Sequence, residues 1–107
     1  MAQMRKGTTA WIVLSVLEKH GELYGYGLRR EVFQKSKGLF SMNESPLYLL
    51  LKRMERKRWV TSRLQTVTGR DRRCYRITTR GLQALNQYRR EWRLLSAVLQ
   101  TFGCLRA

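Results

Sequence analysis

The stretch from Ser41 to Thr79 constrains this chain most, because a basic helical run leads straight into two strand-like segments around a polar turn. In LYLLLKRMERKRW, Leu47, Leu50 or Leu51, and Met54 recur at helical spacing, while Lys52, Arg53, Arg56 and Lys57 crowd the remaining circumference. That pattern predicts a helix with a core side and a cationic side. It has two candidate starts: Ser45 as N-cap before Pro46, or Ser41 with Glu44 as a capping box. Beyond it, WVTSRLQT and RRCYRIT are rich in β-branched and aromatic residues, and VTGRD between them supplies a glycine for a hairpin turn. A helix feeding an arginine-bearing hairpin is the recognition-helix-and-wing arrangement of a winged helix-turn-helix. The plainer alternative is a small α+β domain whose basic face is only solvated.

The flanking segments complete an α+β architecture. Thr8 or Thr9 can cap a first helix through Trp11, Ile12, Leu14, Val16 and Leu17, which stops near Lys19, His20 and Gly21, with His20 bonding a terminal carbonyl. A second helix is expected from Tyr24 to Lys35, with Leu28 and Val32 inward. Gly25 and Gly27 within it would each cost about 1 kcal/mol against alanine, so close packing against the first or third helix is expected there. On the hairpin, Tyr75 and Ile77 read as the inward pair, with Arg72, Cys74 and Arg76 on the opposite face.

Thr78 or Thr79 can cap a last helix running to about Thr101. Leu82, Leu85, Tyr88, Trp92, Leu95, Leu99 and Phe102 recur along it at steps of three and four. At 1.5 Å per residue this helix is roughly 35 Å long, with more apolar surface than the domain ahead of it can cover. The chain is therefore read as a winged helix-turn-helix domain, 1–78, and a C-terminal dimerisation helix, 79–107. Leu85, Tyr88, Trp92, Leu95 and Leu99 are expected to bury against a second copy, partly on its first helix. Two-fold pairing would set the recognition helices about 34–36 Å apart, one turn of DNA.

Charge narrows the function classes. Lys and Arg number 22 against 7 Asp and Glu, a net +15, which draws polyanions. Ser45, Tyr48, Lys52, Arg53 and Arg56 are the candidate contacts to DNA base edges and phosphates, with Lys57 on the backbone. Arg63, Arg70, Arg72 and Arg73 of the hairpin are expected at flanking phosphates or the minor groove, and Arg5 and Lys6 at the backbone. The alternative is a non-specific basic module of architectural, RNA-binding or protein-docking type. An enzyme is the weakest class, because no paired acids, partnered histidine or phosphate-cradling glycine loop is present. No cofactor is expected. Cys74, Cys104 and His20 lack zinc-ligand spacing, so no metal is expected and both cysteines read as free thiols. No apolar stretch approaches a membrane span, and MAQMRKG lacks a secretory apolar run, so the expected compartment is the cytoplasm.

Over nearly its whole length the sequence resembles the PadR family of bacterial transcriptional regulators. Tyr24, Gly25, Tyr26 resembles the family's early tyrosine-glycine-tyrosine element, and Leu47, Tyr48, Leu51, Arg53, Met54, Glu55 its recognition-helix pattern. RRCYRITTRG, from Arg72 to Gly81, is similar to its wing signature, and Trp92 to a tryptophan of its short C-terminal helix. The chain departs from the family pattern at Pro46, Leu49, Arg58 and Cys74; Arg58 stands at the usual glycine before the wing. The resemblance implies a dimeric repressor of double-stranded DNA, with the C-terminal helices as interface. It also implies an aromatic-lined gap for a planar effector, here between Trp11, Tyr88 and Trp92; the competing reading is that these rings only fill the core.

Overall fold

The computed structural model describes residues 7–103, so the expectations for Arg5, Lys6 and Cys104 lie outside the described residues. The element order is α1 (Thr8–His20), β1 (Leu23–Tyr24), α2 (Gly25–Lys35), α3 (Glu44–Arg56), β2 (Val60–Val67), β3 (Arg70–Ile77) and α4 (Thr79–Thr101). This is a winged helix-turn-helix with a long C-terminal helix. One core draws on six of these elements: Val13, Leu14 and Leu17 of α1, Leu28 of α2, Leu47, Leu51 and Met54 of α3, Val60 of β2, Tyr75 of β3 and Leu85 of α4. Burial of that many large aliphatic side chains, each contributing about 1.5–3 kcal/mol, closes the domain within a single chain.

Several local expectations are corrected. Helix α1 begins with Gly7 as its N-cap, in the left-handed region at φ 90°, and neither Thr8 nor Thr9 caps it. The Tyr88 ring lies against Gly7, so the entry to α1 is shaped by a contact from α4. His20 pairs with the Glu31 carboxylate at 3.4 Å, an α1–α2 link in place of a carbonyl contact. Helix α2 starts one residue late, because Leu23–Tyr24 form a short strand antiparallel to β3. Gly25 and Gly27 stand in its first turn, where the helical penalty is small. A Cβ on Gly25 would meet nothing within 4 Å and one on Gly27 only Leu23, so close packing does not explain these glycines.

Helix α3 begins at Glu44 with Asn43 as N-cap, so neither Ser45 nor Ser41 holds that position. Pro46 is still accommodated in the first turn, where an amide hydrogen has no helical partner. The buried stripe of Leu47, Leu50, Leu51 and Met54 is the expected one. At its other end the helix closes in a Schellman motif, with the Trp59 amide donating to the Met54 carbonyl at 2.9 Å and the Arg58 amide to the Glu55 carbonyl at 2.9 Å. Arg58 occupies the left-handed position of that motif at φ 62°, the place a glycine fills without strain. The arginine therefore tolerates the turn and leaves it unchanged. Its side chain has no bonding partner among the described residues, so Arg58→Gly is expected to raise stability by about 0.5–1 kcal/mol, read as a higher urea midpoint at unchanged slope.

The sheet order is β1-β3-β2. Strands β2 and β3 pair from Val60↔Ile77 to Val67↔Arg70, so the turn is only Thr68–Gly69, shorter than the expected VTGRD. Both turn residues have positive φ, 50° and 75°, the type I′ geometry whose twist matches a tight hairpin. Tyr75 is inward as expected. Cys74 is buried too, against expectation: β3 is the middle strand, and Cys74 is flanked in register by Tyr24 of β1 on one side and Arg63 of β2 on the other. Its thiol donates to the Gln65 side-chain carbonyl at 3.1 Å.

Thr78 caps α4, its hydroxyl accepting the Gly81 amide at 3.0 Å. The first half of α4 belongs to the core through Gly81 and Leu85. Its second half carries Trp92, Leu94 and Val98 exposed, followed by an exposed Phe102 just past the helix end.

Candidate nucleic-acid interface

Because Leu47, Leu50, Leu51 and Met54 turn inward, the opposite side of α3 is presented outward, and Ser45, Tyr48, Lys52, Arg53 and Arg56 are all exposed there. The Lys52 ammonium rests over the Tyr48 ring, 5.3 Å from its centroid, which holds one cation beside one aromatic hydroxyl. Lys57, just past the helix, sits 4.6 Å over the Trp59 ring. Leu49 was not among the expected contacts, yet it is exposed in the middle of this cationic side. An apolar side chain so placed suits the thymine methyl in a major groove. Helical phase alone would have found it.

A cleft of about 610 Å³ separates α3 from the wing, and Tyr26, Arg29, Tyr48, Arg70, Arg72 and Arg73 line it. Arg29 of α2 and three wing arginines thus line one cleft with α3, beside the carboxylates of Glu44 and Asp71. Tyr26 and Arg29 are further residues that sequence reasoning missed. The Arg29 guanidinium lies 5.7 Å from the Tyr26 ring centroid, one turn along α2, and Tyr26 is 61% exposed. An exposed tyrosine in the first turn of the scaffold helix was the available signal.

The wing arginines differ in how free they are. Arg70, beside the turn, has no partner among the described residues. Arg72 lies 5.6 Å over the Tyr24 ring. Arg73 donates to Ser62 at 3.0 Å, and Ser62 donates to Glu55 at 2.9 Å, which ties the wing to α3. Arg63 makes two hydrogen bonds to Glu22, at 3.0 and 2.8 Å, and these hold the Glu22 carboxyl below the usual carboxylate range. Its charge is therefore answered within the chain, which weakens the expectation that it reaches DNA.

The expected interface residues of α4 also separate. Leu85 is fully buried in its own chain and has no surface left for a partner, which corrects its assignment to the interface. Tyr88, Leu95 and Leu99 are half-buried, and Trp92 is 44% exposed. Trp11, Tyr88 and Trp92 do come together: Trp11 and Tyr88 stack at 6.1 Å and 5°, and Trp92 tilts against Trp11 at 6.3 Å. Trp59 meets Tyr88 edge-on at 6.4 Å. Trp11 and Tyr88 thus lie side by side within one chain, and both remain half-buried.

Comparison with known proteins bears directly on this geometry. The model of the transcriptional regulator PadR-like family matches residues 13–87, most of the chain. The chain belongs to the PadR-like family. A transcriptional regulator from Clostridium thermocellum is 31% identical, with a TM-score of 0.81 over 91% of each chain. A PadR family transcription regulator from Clostridium difficile is 32% identical, with a TM-score of 0.77 over 90% of this chain and 98% of its own. Bacillus subtilis PadR, solved in complex with operator DNA, shares the fold at 24% identity and a TM-score of 0.69, over 76% of this chain and 46% of its own. The PadR-like match takes in α3, the wing and Gly81. Among the described residues no group of His, Cys, Asp or Glu could hold a metal ion, and no helix is long and apolar enough to cross a membrane.

Proposed function

We propose that this protein is a homodimeric, sequence-specific DNA-binding transcriptional repressor. Helix α3 enters the major groove with Ser45, Tyr48, Leu49, Lys52, Arg53 and Arg56 toward the bases, and Lys57 toward the backbone. Arg70 and Arg72 hold phosphates on the wing side, and Tyr26 and Arg29 hold them on the α2 side. The observation that carries this reading is the cleft between α3 and the wing, which Arg29 of α2 and Arg70, Arg72 and Arg73 of β3 line together. Family membership and the operator complex of Bacillus subtilis PadR support it. The dimer is supported by the second half of α4, where Trp92, Leu94 and Val98 stand exposed on a molecule drawn out to 56 × 29 × 21 Å.

Selection of bound duplexes from a random library tests the reading. A two-fold symmetric enriched site is the expected result, and equal retention of unrelated sequences, or of RNA, would favour the non-specific basic module. On the selected site, Arg53→Ala or Arg56→Ala is expected to cost at least about 1 kcal/mol where the side chain reads a base. Arg70→Ala is expected to weaken selected and scrambled duplexes alike and to lower the slope of log affinity against log salt by about 1. An unchanged slope would remove Arg70 from the phosphates.

A further inference from the structure

Helix α4 packs chiefly on α1 and β3, so the angle between the recognition helix and the dimerisation helix is not set by direct packing of α3 on α4. A short ladder of hydrogen bonds connects them instead. Trp59 and Arg58 donate to the last turn of α3, and their own carbonyls face the start of α4. The Thr78 amide donates to the Trp59 carbonyl at 3.0 Å. The Thr78 hydroxyl lies 2.6 Å from the Arg58 carbonyl and 3.0 Å from that of Trp59, while it accepts the Gly81 amide at 3.0 Å. One proton and one lone pair of a single hydroxyl thus join the end of α3 to the first turn of α4.

We infer that Thr78 is a positioning residue, whose hydroxyl fixes the tilt of the dimerisation helix on the recognition helix and so sets the half-site spacing that the dimer accepts. The inference rests on the proposed DNA-reading dimer. Leverage makes the contact consequential. On a helix of this length, about 35 Å, a tilt of roughly 5° at the start moves the far end by about 3 Å, close to one base-pair step. The hydroxyl does two things that substitution can separate. Thr78→Asp keeps a strong N-cap for Gly81 but has no proton to donate to the Arg58 and Trp59 carbonyls, whereas Thr78→Ser keeps both functions.

The test uses the full chain and two rounds of selection, the first to find the half-site and the second to present that half-site at every spacing across one helical turn. Wild type and Thr78→Ser are expected to prefer one spacing over its neighbours by about tenfold, and Thr78→Asp to spread its preference to within about threefold or to shift it by a base pair. All three are expected to select the same half-site. A wild-type spacing profile in Thr78→Asp would overturn the inference and leave the DNA reading intact. Failure of the wild type to enrich any half-site would remove both. Circular dichroism melts and sedimentation accompany the selections. Unfolding of Thr78→Asp alone would assign the contact to stability and equally overturn its positioning role.

Discussion

Gly81→Ala is expected to destabilise the fold by about 3 kcal/mol or more, read as a large drop in the urea or thermal midpoint. Helix propensity points the other way, since alanine is better than glycine by about 1 kcal/mol in a helix interior and by less in a first turn. The clash outweighs it. A Cβ at this position would stand 2.1 Å from the Trp59 carbonyl oxygen and 2.6 Å from Ile77 Cγ1. The first obstacle is backbone, held by the Schellman turn on one side and by Thr78 on the other, so no rotamer change relieves it. Helix α4 would have to lift, which breaks the Thr78 contacts and draws Leu85 out of the core. A neutral or stabilised variant would mean that this close approach does not hold in solution.

The second large effect concerns association. Trp92→Glu with Leu99→Glu sets two charges on the apolar half of α4, and sedimentation at micromolar concentration is expected to report the 12.7 kDa chain mass in place of twice that value. Loss of the second subunit removes the effective concentration that tethers the second half-site, so affinity for the paired site is expected to fall about 100- to 10,000-fold. Affinity for a single half-site is expected to change little. A double variant that remains a dimer would move the interface away from this part of α4.

Legibility in the sequence followed the range of the interactions. The inward stripe of α3 was readable because Leu47, Leu50, Leu51 and Met54 sit at helical spacing with cations between them, and α4 because its apolar repeat runs unbroken. The start of α3 was not, because Ser41, Asn43 and Ser45 are comparable capping types, and Asn43 makes no side-chain capping bond to single it out. Strand β1 has two residues, too few for any pattern. Its pairing with β3, some fifty residues away, makes β3 the middle strand and places Tyr24 beside Cys74. At the candidate site, residue types on α3 and the wing announced themselves. The pairing of Arg63 with Glu22, 41 positions apart, and the convergence of Tyr26 and Arg29 on the wing depend on tertiary folding. Leu85 was misassigned because an apolar repeat records which side of a helix is covered, and says nothing of which chain covers it.

That last distinction bears on how a repressor of this build would respond to its own abundance. The core closes inside one chain, so dilution is expected to yield folded single subunits. Where most chains are single, halving their number lowers the dimer population roughly fourfold by mass action. Occupancy of a paired operator then changes more steeply than synthesis does, and modest changes in expression are converted into a threshold without any ligand.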